Sequence, residues 1–142
     1  MSTASESLLL DTHAWVWAAF GETSRFRRKT ITRMDEAAQQ GQLLLAAISL
    51  WEVAMLEAKG RLRFNAICLE WLKASVRATG VTVAPLEIDI AAASCALPGF
   101  HGDPADRLIV ATAIHHGATL LTEDERILAY ARKGGYRAVR LK

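Results

Sequence analysis

Thiols are scarce in this sequence. Its 142 residues include two cysteines, Cys68 and Cys95, both in apolar surroundings and neither in a CxxC pair. A disulfide scaffold or a thiolate zinc site needs more cysteines or closer spacing, so the two are expected to be reduced core residues. A dominant charge is lacking as well: 17 Lys and Arg stand against 15 Asp and Glu, a formal net charge of +2. Neither general attraction to nucleic acid nor repulsion from it follows from that total, so the distribution of charge has to decide. Long apolar runs are also missing. The stretch from Leu8 to Phe20 is interrupted by Asp11 and His13 and has no basic residue before it, unlike a signal peptide, and nothing else approaches a membrane span. The expectation is a soluble cytoplasmic protein without membrane contact. No repeat, low-complexity tract or linker divides the chain, and 51% apolar content supplies a core, so residues 1–142 are expected to form one domain.

Apolar runs and turn residues alternate in a regular way. Leu8 to Leu10 reads as a buried strand that delivers Asp11 at its C-terminal tip, with a helix from Thr12. Spaced apolar positions from Arg25 to Gln40 predict a one-sided helix closed by Gly41, followed by a strand over Leu43–Ile48. Ser49 is placed to N-cap a helix reaching Ala58, with Glu52 at the capping-box position. A helix over Ala66–Ala78, a strand over Val81–Leu86 and a short helix over Asp89–Leu97 come next, the last stopped by Pro98 and Gly99. Asp103 and Pro104 open the most strongly marked helix, since aspartate caps well and proline lacks only an N–H that the first turn does not use. A strand over Thr119–Thr122, a helix over Glu123–Arg132 and a strand over Arg137–Leu141 complete the chain. Strands alternating with helices imply an α/β fold, three layers of α/β/α around a mainly parallel sheet of about five strands, because parallel neighbours need crossover connections.

Asp11, Glu52 and Asp124 each follow an apolar strand or open the helix after it, and ligands of open parallel sheets bind at those strand ends. Asp103 and Asp106 add two acids in the first turn of one helix. So many carboxylates cannot all ionise without compensation, which a divalent cation supplies. An all-oxygen set selects Mg²⁺, or Mn²⁺, over zinc; the four histidines, His13, His101, His115 and His116, show no zinc-ligand spacing. Such a site suits phosphodiester hydrolysis. A plainer reading stands beside it: Asp103 and Asp106 as cap and first-turn charge, Glu52 as capping-box partner. Asp11, followed by Thr-His-Ala-Trp, has no evident local structural task.

The segments LLLDTHAWVW, SLWEVAML, DPADRLIVATA and LLTEDERI, in that order, resemble the PIN domains of the VapC toxin group over most of the chain. The resemblance implies that Asp11, Glu52, Asp106 and Asp124 are the catalytic, metal-holding acids, that Asp103 is an accessory or capping acid, and that Thr122 supports the site by hydrogen bonding, with Glu123 a bystander. It further implies an endoribonuclease acting on tRNA, rRNA or mRNA, a homodimer, and a cognate antitoxin that silences it. Ala105 departs from the subgroup, which often has a bulky aromatic there.

Arg25, Arg27, Arg28, Lys29 and Arg33 concentrate positive charge along one helix, and Arg132, Lys133, Arg137, Arg140 and Lys142 do so near the C-terminus. Either group could hold phosphates, although a solvated helix face is the commoner origin of such runs. Trp15, Trp17, Trp51 and Trp71 could stack on bases, but core and interface positions are expected. Two rival readings exist. A phosphatase of the haloacid-dehalogenase kind needs a second aspartate two residues after the first, where this chain has His13. A non-catalytic interaction module predicts erosion of the acids, and all four remain.

Overall fold

The computed structural model describes residues 6–100 and 102–142; His101, one of the histidines considered above, lies outside them. Five strands, β1 Leu8–Leu10, β2 Leu43–Ala46, β3 Thr82–Ala84, β4 Thr119–Leu121 and β5 Arg137–Val139, form a wholly parallel sheet in the order β3-β2-β1-β4-β5. The helices are α1 Thr12–Ala19, α2 Arg28–Gln39, α3 Ala47–Ala58, α4 Cys68–Thr79, α5 Ile88–Cys95, α6 Pro104–His116 and α7 Glu125–Ala131. Each parallel crossover uses at least one of them, as the alternating pattern requires.

The triple leucine of β1 sits at the centre of the sheet, and its register divides the core in two. Leu8 and Leu10 pair with Leu43, Leu45 and Leu121 and join the cluster that holds Trp15 of α1, Met34 of α2 and Trp71 of α4. Leu9 faces the other way, into Leu120, Ile109, Val110 and Ala113 of α6 and Ile127 of α7. Alternate side chains of a strand point to opposite faces, so a strand covered on both sides must be apolar throughout. Trp15 also donates its Nε1 hydrogen to Thr79 Oγ1 at 3.0 Å. The chain proceeds from β1 outward to β3 on one side, then crosses to build β4 and β5 on the other. The crevice between the C-terminal ends of β1 and β4 is therefore the topological switch point.

Several sequence expectations need correction. The helix expected from Arg25 begins at Arg28, because residues Thr23–Arg25 close a 3₁₀ turn and the Arg27 amide bonds instead to Leu141 O at 2.8 Å. Ser49 is not an N-cap: β2 ends at Ala46, α3 starts at Ala47, and Ser49 is fully buried inside the first turn. The last strand stops at Val139, and α7 begins two residues later than expected, after Asp124 as its cap. Cys68 is only half-buried and Cys95 is exposed, so neither thiol is a core residue. Trp15 and Trp71 are buried as expected, whereas Trp51 is exposed. No helix among the described residues is long and apolar enough to cross a membrane.

Candidate active site

The switch point is where the acids meet. Asp11 leaves β1 in an extended conformation, and its amide continues the sheet by donating to Leu121 O at 3.0 Å. Its side chain is buried and doubly held: Oδ1 accepts the Thr12 N–H at 2.8 Å, and Oδ2 accepts the Thr122 hydroxyl at 2.6 Å. Asp11 thus has the local task that the sequence did not reveal, that of capping α1. Thr122 is fully buried, and besides donating to Asp11 it accepts the Asp124 N–H at 3.0 Å. One hydroxyl therefore links the acids that follow β1 and β4.

Glu52 lies on α3, one turn past its start, and takes the Thr12 hydroxyl at Oε1 at 2.5 Å, while the same hydroxyl meets Ser49 Oγ at 2.8 Å. Asp103 caps α6, its Oδ1 accepting the Asp106 N–H at 2.9 Å. That bond fixes the turn from which Asp106 projects. Asp124 caps α7 through Oδ1, which accepts from Arg126 N at 2.8 Å and Ile127 N at 3.3 Å. The Arg126 guanidinium then turns back over the cluster, with Nη2 3.0 Å from Asp106 Oδ2 and 3.3 Å from Asp124 Oδ2.

Burial and repulsion between carboxylates favour the neutral forms of Asp11, Glu52 and Asp106. Burial raises the Asp11 carboxyl, against the opposing bonds from Thr122 and Thr12, with the Asp124 charge adding to the rise. Burial likewise raises Glu52, opposed by the Thr12 bond and reinforced by the charges of Asp11 and Asp103. Asp106 moves furthest, pushed up to about 7 by burial and then by Asp103, Asp124 and Asp11, with Arg126 pulling it down. Pairwise repulsion thus links the five acids in one chain, Glu52 through Asp11 and Asp103, and Asp106 through Asp103, Asp124 and Asp11. As placed, however, no three acidic, histidine or thiol side chains among the described residues close into a metal cage.

Other expected residues lie apart from this cluster. Arg25 sits over the Trp17 ring at 4.4 Å and pairs with Glu22 at 3.7 Å. Arg33 donates from Nε to Glu6 at 3.1 Å, just ahead of β1 and so at the opposite end of the sheet from Asp11. Arg27, Arg28 and Lys29 are exposed, and none forms an ion pair or side-chain hydrogen bond with the acids among the described residues. His115 pairs with Glu87 at 2.8 Å near the far end of α6, and His13 is exposed. Glu123 is no bystander to the fold: its Oε2 accepts the Leu141 N–H at 2.6 Å and its Oε1 lies 3.5 Å from Arg140, which anchors the chain after β5.

The residues missed by sequence reasoning are Thr12, Ser49 and Arg126. A signal for Arg126 was present, because a cation in the first turn of a helix opposes the helix dipole and is tolerated best beside acids. Thr12 and Ser49 carry no such signal, since their contact joins two segments 37 positions apart.

Comparison with known proteins agrees with this architecture. Residues 8–133 match the profile of the PIN domain. The chain is 39% identical over 129 residues to ribonuclease VapC22 of Mycobacterium tuberculosis, an alignment covering 87% of this chain and 92% of that protein. Its fold superposes on DNA-bound VapBC from Salmonella typhimurium with a TM-score of 0.67 at 16% identity, over 96% of this chain and 99% of the other. It superposes on VapBC2 from Rickettsia felis, bound to a promoter DNA fragment, with a TM-score of 0.69 at 15% identity, over 95% and 98% of the two chains. By the profile match over most of its length and the identity to a ribonuclease relative, this chain belongs to the PIN-domain family, in its VapC branch.

Proposed function

We propose that this chain is a divalent-cation-dependent endoribonuclease, the toxin of a toxin–antitoxin pair, acting in the cytoplasm as a homodimer on tRNA, rRNA or mRNA. The observation that carries the reading is the convergence of acids from four separate segments on the switch point, where Asp106 is displaced to about 7 by burial and by its neighbours' charges. The donor set fits a hard cation: among the described residues it is all oxygen, with no thiolate and no histidine bonded into it, which favours Mg²⁺ with Mn²⁺ as a substitute. Asp11, Glu52, Asp106 and Asp124 would hold the ion, directly or through water. When bound, the cation neutralises charge on the phosphodiester and favours deprotonation of water for in-line attack.

The remaining work belongs to the chain itself. Thr122 fixes the orientation of Asp11 and the start of the Asp124 turn together. Thr12 and Ser49 do the same for Glu52, and Asp103 sets the first turn that carries Asp106. The exposed Arg27, Arg28 and Lys29, with Arg25 beside them, are available to phosphates of a bound RNA. A phosphatase in which Asp11 attacks phosphorus is disfavoured, because the position two residues on, where such enzymes need a second aspartate, is His13.

The reading is tested by incubating a total tRNA and rRNA pool with the purified protein, with Mg²⁺ or with EDTA, in parallel with Asp11→Asn. Discrete products are expected with Mg²⁺ alone, and the variant is expected to be inactive with an unchanged circular dichroism spectrum. Full activity of the variant would refute the assignment.

A further inference from the structure

Arg126 is a cation already seated where the acids need one. Its Nη2 bridges Asp106 Oδ2 and Asp124 Oδ2 at 3.0 and 3.3 Å, and these acids come from different helices, α6 and α7. Nothing else in the described residues forms an ion pair with either acid. The guanidinium itself is not part of the packing: its side chain is 59% exposed, while the Asp106 side chain is 12% exposed. What fixes Arg126 is its backbone, whose N–H is bonded to Asp124 Oδ1. The head group can therefore leave without disturbing the α7 cap.

We propose that Arg126 is a built-in counter-cation that competes with the divalent ion: it bridges Asp106 and Asp124 in the metal-free protein and is displaced when the ion binds. The inference rests on the metal-dependent nuclease reading above. Two positive groups cannot share the same pair of carboxylate oxygens, since like charges a few ångströms apart repel strongly. A divalent cation gains more from the carboxylates than a single guanidinium does, and the guanidinium, being exposed, is readily rehydrated. The exchange has a structural consequence. With Arg126 in place, its side chain stands between the acids from α6 and α7; with it gone, both oxygens lose that partner and are left to the ion.

The test is Mn²⁺ binding to the full chain, measured by the electron paramagnetic resonance signal of free Mn²⁺, for wild type, Arg126→Gln and Arg126→Lys. Alkaline buffer keeps proton competition for the carboxylates low. Glutamine leaves the backbone cap intact and removes the charge, and is expected to tighten Mn²⁺ binding about five- to tenfold. Lysine keeps the charge but replaces the planar fork with a compact ammonium, and an intermediate affinity is expected. A second readout is thermal: the Mn²⁺-induced rise in Tm should be larger for Arg126→Gln than for wild type, because its metal-free form has lost its counter-cation. Equal or weaker Mn²⁺ affinity in Arg126→Gln would overturn the competition and leave the nuclease reading intact. Absence of Mn²⁺ binding in all three proteins would remove the metal reading and this inference with it.

Discussion

Replacing Asp106 by asparagine should stabilise the metal-free protein in alkaline solution and do nothing in acid. The Asp106 carboxyl is held at about 7 against an ordinary 3.8, by burial first and then by the charges of Asp103, Asp124 and Asp11. A displacement of that size favours the neutral form by roughly 4 kcal/mol. The sign follows from proton counting. Between about pH 4 and about pH 7 the folded chain holds a proton that the unfolded chain has released, so stability falls as pH rises through that window and is flat above it. Asparagine never ionises and escapes the loss, which is already net of the Arg126 attraction because Arg126 pulls the same carboxyl down. The expectation is a variant about 4 kcal/mol more stable than wild type at about pH 8 and nearly equal at about pH 4. Urea unfolding in EDTA across that range measures the difference directly. Added Mg²⁺ should then narrow or reverse it, because the cation stabilises only a site that still has its full set of acids. An Asn variant that is less stable than wild type at about pH 8, or a difference that does not change with pH, would refute the electrostatic account.

Two further substitutions probe the groups that place the acids. Thr122→Val, at a fully buried position, removes the donor to Asp11 Oδ2 and the acceptor of the part-buried Asp124 N–H, so it should cost about 2 kcal/mol in urea unfolding and lower the cleavage rate without changing the metal requirement. Gly102→Ala would set a Cβ 2.5 Å from the Phe100 ring and 2.9 Å from the Asp106 Cβ, so a lower Tm together with weaker Mn²⁺ binding is expected, because the strain falls directly on an acid of the site.

The fold was legible because its signals are local. The run Leu8 to Leu10, buried on both faces, could only be an interior strand, and Asp103-Pro104 and Gly117 bracket α6 in the structure as they do in the sequence. Strand ends and helix starts also located Asp11, Asp103, Asp106 and Asp124, whereas Glu52, read as a capping-box residue, lies inside α3. What the sequence could not convey was contact between distant segments. Ser49 looks like a cap from its neighbours, yet its hydroxyl is used by Thr12 of α1. Glu123 looks idle until the chain returns and Leu141 donates to it. The start of α2 depended on a backbone bond from Arg27 to Leu141, 114 residues later, and no periodicity encodes that.

The sequence also posed a choice, helix cap or metal ligand, and the two roles are not mutually exclusive. A carboxylate has two oxygens, and capping engages one of them. Asp124 spends Oδ1 on the α7 amides and keeps Oδ2 toward Asp106 and Arg126. Asp11 gives Oδ1 to the Thr12 amide and Oδ2 to Thr122, and Asp103 gives Oδ1 to the Asp106 amide. Three helices therefore start at the site, and each brings the positive end of its dipole to a place crowded with carboxylates, which offsets part of their repulsion. Glu52 and Asp106 are the exceptions: among the described residues Glu52 takes only the Thr12 hydroxyl, and Asp106, in the first turn rather than at the cap, accepts no backbone N–H, only the Arg126 guanidinium. Burial first, and then the charges of Asp103, Asp124 and Asp11, displace Asp106 to about 7 with no backbone N–H to offset them, so an added cation would relieve this acid most.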